Sequence, residues 1–391
     1  MRVLLIHNTY RSPGGEDIVA KTEAELLRFY GHEVQEYWRS NVEILRFRKA
    51  FQTPVQVLWA RDTAWQVDSL IRSFRPDIVH VHNTWMMISP VVYWVAKRHK
   101  VPVVQTLHNY RILCPNAQFL RAGYPCEICK KKAFPLPGIL FGCYRNSRLQ
   151  TLLVAITVAS HRLLGTWQRK VDMYIALTEF AKQRFIEGGL PGYKITVKPN
   201  FVYPDPGERN GCGSYALFVG RLSPEKGVDI LLEAWRILTN IPLKIAGDGP
   251  LKAWVQRRAS TLRRVEVLGW QPRESVVRLL KGARFLIVPS RCYEAFPMTV
   301  IEAFACGVPV IASRLGALQE IVKDGQTGRL FTPGDPMDLA EQVDYLWRRQ
   351  EEVEAMGREA RREFETKYTA ERNYNMLLEV YQKAQDRNKQ E

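Results

Sequence analysis

Residues 216–227 of this 391-residue chain read Ala216-Leu217-Phe218-Val219-Gly220-Arg221-Leu222-Ser223-Pro224-Glu225-Lys226-Gly227. The apolar run 216–220 has the length of a buried strand, and the apolar residues of 228–238 then recur at helical spacing. A strand, a short turn and a helix that packs back on the strand form the unit from which parallel sheets are built. The stretch therefore predicts an α/β fold.

The same alternation of strand and helix extends along both halves of the chain. A helix is expected from Asp17, which could cap it, to Tyr30, with Gly31 ending it. The stretch 203–214 is rich in proline and glycine and reads as a linker between two domains. The expected strands are 3–7, 78–82, 101–108, 173–178 and 194–198 before this linker, and 216–220, 242–246, 265–269, 285–289 and 308–312 after it.

The pattern predicts two Rossmann-like, doubly wound domains. The first covers 1–202 and contains an insertion at about 109–145, and the second covers 203–370. A C-terminal helix, 371–391, could pack back on the first domain. Sheets of this kind bind ligands at the carboxyl ends of their strands, so two of them facing each other would create a central cleft.

Charge is divided unevenly between the halves. The chain carries 56 basic and 40 acidic residues, and the first 200 residues account for +14 of the net +16. Such asymmetry favours an anionic partner over a merely solvated surface. Within 121–170 a single acid, Glu127, accompanies nine cations: Arg121, Lys130, Lys131, Lys132, Arg145, Arg148, Arg162, Arg169 and Lys170.

Composition and hydropathy exclude several classes of protein. Hydrophobic residues at 46% and charged residues at 25% are those of a globular chain, and neither a disordered nor a collagen-like protein is expected. The N-terminus does not resemble a signal peptide, and the longest weakly polar stretch, 149–160, is too short to cross a bilayer. A cytoplasmic location is therefore the expectation.

Two pairs of charged residues lie where ligands are expected. Arg221 and Lys226 stand between a strand and a helix N-terminus, where they could bind a diphosphate, although two exposed surface cations are the simpler reading. Glu294 follows strand 285–289 and Glu302 lies inside the next helix, with Pro297 suited to its first turn. One carboxylate could accept hydrogen bonds from sugar hydroxyls and the other from ribose, but buried or capping glutamates are as common.

In this order and spacing, the motifs of the second half resemble glycosyltransferase family four, whose members have the GT-B fold. The resemblance spans nearly the whole second half. It rests on the Gly220-Arg221 to Lys226-Gly227 element, the Gly247-Asp248-Gly249-Pro250 turn, the Leu268-Gly269-Trp270 strand end, the Glu294 and Glu302 pair, Cys306-Gly307-Val308-Pro309-Val310-Ile311-Ala312 and the turn from Gly325 to Gly328.

The resemblance implies a retaining glycosyltransferase that uses a UDP- or GDP-sugar and needs no metal for its chemistry. Arg221 and Lys226 would bind the donor diphosphate, Glu302 the ribose and Glu294 the donor sugar. Backbone amides near Phe296, Pro297, Met298 and Thr299 would contact sugar and phosphate, and Trp270 would lie near the base. The expected setting is cell-envelope or exopolysaccharide biosynthesis, with a glycan or lipid-linked acceptor.

In the first half the resemblance is looser. The loop Pro13-Gly14-Gly15-Glu16 resembles the family's glycine-rich loop, in which Gly15 lets the backbone approach the donor, although a plain turn is an equal reading. His108, at the end of strand 101–108, matches the histidine that the family places beside the transferred sugar. His80 and His82 are assigned to packing or to lining the cleft.

Four of the seven cysteines lie close together in sequence: Cys114, Cys126, Cys129 and Cys143. A Cys-x-x-Cys pair with two flanking cysteines could supply the four thiolates of a structural zinc site. Reduced thiols and an iron–sulfur cluster or redox pair are the alternatives. This insertion departs from the family pattern, and Cys212, Cys292 and Cys306 are expected to bind no metal.

Two other functions are considered. A basic, zinc-containing nucleic-acid-binding protein would suit the charge, but the aromatic residues near the basic segment form no RNA-binding signature. A GT-B enzyme of other chemistry, such as an epimerase, fits less well because the Glu294 and Glu302 pair favours transfer. Under the preferred reading, the basic half would attract an anionic membrane surface, with 134–141 and the helix 149–164 as contacts at the inner face of the plasma membrane.

Overall fold

The computed structural model describes residues 1–10, 14–46 and 52–390. These residues form two compact units. The first comprises Met1–Gln118, Glu127–Asn200 and Asn373–Glu391, and the second Phe119–Cys126 and Phe201–Arg372. Within the described ranges, no helix combines the length and the apolar character needed to cross a membrane.

The chain up to Asn200 alternates strands and helices. In order, its elements are β1 (Arg2–Thr9), α1 (Gly15–Phe29), β2 (Glu33–Ser40), a 3-10 turn (Asn41–Arg46), α2 (Gln52–Leu58), α3 (Arg61–Phe74), β3 (Ile78–Asn83), α4 (Val91–Arg98), β4 (Val103–Thr106), β5 (Leu120–Arg121), β6 (Tyr124–Pro125), α5 (Leu136–Leu140), α6 (Arg148–Leu163), α7 (Thr166–Arg169), β7 (Met173–Ala176), α8 (Glu179–Glu187), a 3-10 turn (Gly192–Lys194) and β8 (Ile195–Val197). The β5–β6 hairpin belongs to the second unit.

The sheet of the first unit has six parallel strands in the order β2-β1-β3-β4-β7-β8. Its centre is apolar, because every residue of β3 and β4 is buried. The edge strand β2 was not expected. Its first four residues alternate between exposed and half-buried, Tyr37 is its one buried residue, and three of its side chains are charged, so it lacks the apolar run by which the other strands were recognised. This order places a topological switch point between β1 and β3.

Helix α1 begins earlier than expected. Gly14, not Asp17, is the residue before the first turn, and the Asp17 carboxylate accepts a hydrogen bond of 2.7 Å from the Gly14 N–H. Asp17 therefore closes the helix start from its third residue. The helix ends before Tyr30, and Gly31 follows with φ of +81°, which suits glycine in the role expected of it.

The second unit repeats the architecture. Its elements are β9 (Tyr215–Val219), a 3-10 turn (Pro224–Lys226), α9 (Val228–Trp235), β10 (Leu243–Ala246), α10 (Lys252–Ala259), β11 (Val265–Gly269), α11 (Arg273–Gly282), β12 (Ala283–Val288), α12 (Met298–Ala305), β13 (Val310–Ser313), α13 (Ala317–Ile321), β14 (Gly328–Phe331), α14 (Pro336–Trp347) and α15 (Gln350–Lys367). Helix α16 (Ala370–Gln390) then returns the chain to the first unit at Asn373.

Six parallel strands form the second sheet, in the order β11-β10-β9-β12-β13-β14. Numbered along the chain, this is the 3-2-1-4-5-6 order of a doubly wound sheet, which confirms the predicted fold class. Separate apolar clusters pack on its two faces, one containing Trp235 and Phe285 and the other Phe304 and Leu286. The order reverses between β9 and β12, so ligands are expected where those two strands end.

Candidate active site

The loops that follow β9 and β12 are pressed against each other in the second unit. Gly227, at φ of +67°, closes the turn after β9, and a Cβ there would lie only 1.9 Å from the carbonyl oxygen of Pro289. The Arg291 N–H also donates a 2.9 Å hydrogen bond to the Glu225 carbonyl, and its guanidinium lies 2.7 Å from the Asp229 carboxylate. Glycine at 227 is therefore required for the two loops to meet at the switch point.

This contact brings together two of the predicted site residues. Lys226 Nζ lies 2.6 Å from Glu294 Oε1, and the Ser290 hydroxyl donates to the same oxygen at 2.7 Å. Burial by itself would lower the pKa of Lys226, but the carboxylate of Glu294 outweighs it and leaves the pKa above its usual range. About 29% of the Lys226 side chain remains exposed, so the ammonium can still reach a ligand.

Arg221 and Trp270 lie at the carboxyl ends of β9 and β11 and are exposed. Within the described ranges, the Arg221 guanidinium has no ion-pair partner. An exposed arginine without an ion pair loses less on binding phosphate than one that must first break a salt bridge. Gly220, between β9 and Arg221, donates its N–H to the Ala246 carbonyl at 3.0 Å.

Helix α12 begins directly after the Glu294 loop. Pro297 precedes its first residue and supplies no side-chain cap, so the N–H groups of Met298 and Thr299 are left to an external acceptor. Phe296 is half-buried and packs edge-on against Tyr368, with ring centroids 6.0 Å apart. The helix start is thus open to an anion on one side and anchored by an aromatic contact on the other.

Glu302 lies one turn into α12, on the face that Met298 and Thr299 share. Burial raises the pKa of Glu302 to about 7, although Arg273 acts in the opposite direction. Within the described part of the chain, its carboxylate forms neither a hydrogen bond nor an ion pair. Glu302 is half-buried, and an unpartnered carboxylate that has lost part of its water is costly in a structural role. A ligand hydroxyl would relieve that cost.

The first unit gathers polar side chains at its own switch point, where β1 and β3 end. Glu16, in the first turn of α1, accepts a 2.9 Å hydrogen bond from Asn83 Nδ2 and a longer one, 3.4 Å, from Asn109 Nδ2. Burial and the adjacent Asp17 raise the pKa of Glu16 to about 8, and burial together with Glu16 raises the pKa of Tyr10. Gly15 is exposed beside this carboxyl, while Pro13 lies outside the described residues.

His108 lies two residues beyond β4. Its Nε2 is 2.8 Å from His82 Nδ1, and the two rings stack with centroids 5.1 Å apart. Burial, followed by the neighbouring His82, holds the pKa of His108 well below its usual range. His82 is buried and lines a cavity of the first unit.

A cavity of about 50 Å³ opens beside these histidines in the first unit, lined among others by His82, His108, Asn109 and Arg111. The Arg111 guanidinium packs over the rings of Trp85 and Tyr144 at 5.0 and 4.9 Å. The cavity therefore combines a fixed cation, amide groups and an imidazole, which suits a hydroxylated or anionic ligand.

The four clustered cysteines do not converge on one point in the described residues. Cys114 and Cys129 are buried and Cys126 and Cys143 half-buried, but no three of their sulfurs lie within 4.8 Å of one another. The Cys114 thiol donates to Asn116 Oδ1 at 3.0 Å. The zinc prediction is not confirmed and stays a prediction.

The structure thus assembles the predicted residues into two groups, one in each unit. In the second unit Lys226, Glu294 and the start of α12 meet at one switch point. Motif reasoning named these residues because they follow apolar strands. It gave no role to Glu16, Asn83, Asn109, Arg111 and Ser290. Their common signal was a position at the last residue of a strand, in the loop beyond it or in the first turn of the next helix.

Two family models match the chain. One, described as glycosyl transferases group 1, matches residues 205–363, and the other, a glycosyl transferase 4-like domain, matches residues 23–200. Each model therefore covers the greater part of one unit.

Curated relatives agree with this assignment. The chain is 36% identical over 217 residues to an uncharacterized glycosyltransferase of Methanocaldococcus jannaschii, a match that covers 55% of the chain and 60% of the relative. It is 34% identical over 288 residues to a D-inositol 3-phosphate glycosyltransferase of a Mycobacterium species, covering 69% of the chain and 58% of that protein. The chain thus spans about 60% of the length of such relatives.

Solved structures share the fold. Sucrose-phosphate synthase from Thermosynechococcus elongatus superposes with a TM-score of 0.72 at 16% identity, over 97% of this chain and 98% of that one. HepE of Anabaena, solved with UDP and glucose, gives 0.67 at 18% identity, over 97% and 98%. Two parallel-sheet units of this kind and two family models that together account for most of the chain lead to one conclusion: the protein belongs to the glycosyltransferases of family four, with the GT-B fold.

Proposed function

We propose that the protein is a retaining hexosyltransferase that moves a sugar from a UDP- or GDP-sugar to a glycan or lipid-linked acceptor in cell-envelope or exopolysaccharide biosynthesis. The observation that carries the proposal is the Lys226–Glu294 pair, 2.6 Å apart at the switch point of the second sheet. There a cation for phosphate and a carboxylate for sugar hydroxyls stand side by side. HepE, solved with UDP and glucose, supports a nucleotide-sugar donor.

The chemistry follows from the charges. Departure of the nucleoside diphosphate builds negative charge, which Lys226, Arg221 and the open start of α12 would stabilise. Removing one such preorganised contact typically costs about 3 to 4 kcal/mol in the barrier. Glu294 and Glu302 would accept hydrogen bonds from the donor sugar and the ribose, and the chemistry as proposed requires no metal.

The proposal is tested by thermal unfolding with UDP, GDP, ADP and their common sugar conjugates. A ligand at 100 times its Kd adds about 2.7 kcal/mol, enough to raise the midpoint by roughly 5 °C or more. One nucleotide series should stabilise the wild type and fail to stabilise Lys226→Ala. The control is Lys367→Ala, which removes an exposed lysine paired with Glu363 at the end of α15 and should respond as wild type.

A folded wild type that responds to none of these nucleotides would contradict the proposal. With the nucleotide identified, incubation of the matching sugar donor distinguishes transfer from epimerisation. New glycosidic product with retained configuration supports the proposal, whereas an epimerised donor sugar would favour the alternative GT-B enzyme.

We also propose peripheral association of the first unit with an anionic membrane, which would give access to a lipid-linked acceptor. Helix α6 presents a solvent-facing apolar stripe of Leu149, Ile156 and Leu163, seven residues apart, with Leu163 90% exposed. Leu140 and Phe141, at the end of α5, are also exposed. Residues 130–170 contain no acid, so the segment that carries these apolar side chains contributes only cations around them.

Flotation with phosphatidylglycerol vesicles tests the association. Wild type should float at 50 mM salt and less at 500 mM, because screening weakens the basic contribution. Leu149→Glu/Leu163→Glu should stay at the bottom of the gradient, while Ile237→Glu, also an exposed apolar position but in the second unit, should float normally. Binding that is indifferent to the α6 substitutions would remove the proposed surface.

The zinc prediction is retained as a proposal. Cys114, Cys126, Cys129 and Cys143 would hold one structural Zn²⁺ as four thiolates. Elemental analysis of the purified protein should give one zinc per chain, lost in Cys129→Ser. Absence of metal with four titratable thiols would favour reduced cysteines.

A further inference from the structure

The core of the first unit contains an unusual chain of ionisable groups. Lys198, Glu23, His80 and His82 are all at most 2% exposed. Buried charges are costly unless they are paired, and such groups are often retained for a purpose other than stability.

The groups connect end to end. Lys198 Nζ lies 3.0 Å from Glu23 Oε2, and the other oxygen of Glu23 lies 3.2 Å from His82 Nε2. Within the described residues neither of these two atoms has a hydrogen-bond partner, so the second contact is a short polar contact and not a hydrogen bond. His82 Nδ1 then lies 2.8 Å from Nε2 of His108, which lines the cavity. The path runs from a buried ammonium to the imidazole at the candidate site.

The same cluster could be read as a metal site, because ligand atoms of Glu23, His80 and His82 lie within 4.8 Å of one another. Lys198 argues against that reading. Its ammonium is already in contact with Glu23 and also donates to Asn373 Oδ1 at 3.0 Å. A second cation beside it would be repelled, and the carboxylate already has its counter-charge.

The protonation states give the path a direction. Although burial opposes ionisation, Lys198 and His80 hold the pKa of Glu23 well below its usual value, so this carboxylate can only accept hydrogen bonds. Burial and His80 lower the pKa of His82 to about 3, and the pKa of His108 is also low, so both imidazoles are neutral at pH 7. Each therefore carries one proton, on one nitrogen or the other.

We propose that Glu23, held by Lys198, and His82 are positioning residues that set the tautomer of His108. The carboxylate draws the His82 proton to Nε2, which leaves His82 Nδ1 as an acceptor. His108 must then donate its Nε2–H, and its Nδ1 becomes a lone-pair acceptor for a substrate hydroxyl. Within the described part of the chain, Nδ1 has no hydrogen-bond partner of its own. The substrate role rests on the proposed function, whereas the tautomer assignment does not.

Ring-¹⁵N-labelled histidine spectra test the assignment without any substrate. His108 resonances are identified by their loss in His108→Gln. Wild type should show a neutral His108 protonated at Nε2, and His82→Asn should give a mixture of tautomers. Glu23→Gln leaves Lys198 buried without a counter-charge and risks unfolding, so Glu23→Gln/Lys198→Met is the variant of choice. This double variant should also give a mixture of His108 tautomers.

His80→Gln is the matched control. His80 Nδ1 lies 3.0 Å from the same Glu23 oxygen and its ring centroid lies 4.4 Å from that of His82, but its hydrogen bonds are with Thr106 and Tyr381 and none reaches His108. The His108 tautomer should be unchanged in this variant. In transfer assays, Glu23→Gln/Lys198→Met should lower kcat by about 10- to 100-fold, as loss of partners that orient a ligand-binding histidine does, with the donor KM within about twofold.

Three results would overturn the proposal: a wild-type His108 protonated at Nδ1, a His108 tautomer unaffected by the double substitution in a folded protein, or a metal ion bound at Glu23, His80 and His82. A protein that shows the expected tautomer shift but transfers no sugar to any acceptor leaves the positioning role standing and counts against the proposed function alone.

Discussion

The contribution of Glu302 to the stability of the fold depends on pH. Its pKa is raised from about 4.5 to about 7 on folding, so the folded protein binds the proton more tightly than the unfolded chain does. A group with a raised pKa contributes stability at low pH that is lost as the pH rises through 4.5 to 7.

Glu302→Gln should remove this dependence. We expect the difference in free energy of unfolding, wild type minus variant, to fall by up to about 3 kcal/mol between pH 4 and pH 8, at about 1.4 kcal/mol per pKa unit. Urea unfolding at the two pH values measures it. If the free energies of unfolding of wild type and Glu302→Gln changed equally with pH, Glu302 would be solvated in the folded protein. The variant should also bind the donor nucleotide less tightly.

Substituting Gly227 tests whether the contact between the loops after β9 and β12 depends on the absence of a Cβ at this position. Gly227→Ala combines a positive φ with a Cβ 1.9 Å from the Pro289 carbonyl, whereas at Gly325, with φ of +75°, a Cβ would have no other atom within 4 Å. Gly325→Ala should cost about 1 kcal/mol from the backbone alone.

Gly227→Ala should cost several times as much, since the loops must separate, and should abolish nucleotide-induced stabilisation. Chemical unfolding and the nucleotide series measure both effects. An equal loss of unfolding free energy in the two variants would mean that the loop after β12 can move aside without destabilising the protein.

At the scale of elements, the start of α1 depends on a single carboxylate. Asp17 is buried, lies 2.7 Å from His7 Nε2 and accepts the Gly14 N–H. Asp17→Ala would leave both donors without an acceptor and should destabilise the protein by about 2 to 4 kcal/mol. Glu25→Ala, on the exposed face of the same helix, should change stability by no more than about 0.5 kcal/mol. Urea midpoints compare the two, and a similar loss in both would deny Asp17 this role.

The elements also show what could be predicted from sequence. Apolar runs such as Ile78–Asn83 predicted their strands, because a strand that is buried on both faces consists of consecutive apolar residues. The edge strand Glu33–Ser40 and the short strand Gly328–Phe331 were missed. The first is polar on its exposed face, and the second is only four residues long and begins where the predicted turn from Gly325 to Gly328 ends. Chain order alone could not show that Lys226 and Glu294, 68 residues apart, share a hydrogen bond, because strand order determines that neighbourhood.

The first unit's site was harder still to predict. His108 was named through the family resemblance, but nothing local to His108 indicates that Glu23, far earlier in the chain, lies two contacts away. Such a path requires β3, β4, β8 and α1 to be stacked in one order. Periodicity reports which face a residue occupies and not which partner it meets there.

At the scale of the molecule, the two units have separate apolar cores and separate candidate sites. If the second unit alone binds the nucleotide, amide hydrogen exchange should slow there on adding the stabilising nucleoside diphosphate, most of all in 220–228 and 294–302. Exchange in β1, β3 and β4 should change little. Equal protection of both sheets would assign part of the nucleotide site to the first unit.

Helix α16 is translated last, yet its side chains complete the core of the first unit. The Tyr381 hydroxyl lies 2.8 Å from His80 Nδ1, and Asn373 accepts from Lys198, so side chains from the last helix complete a core begun by residues translated long before it. While the ribosome is still elongating, Lys198 and His80 lack these partners. The buried groups of the nascent first unit therefore lack partners while residues 201–372 are translated. We expect a chaperone to be most useful to the first unit during that interval.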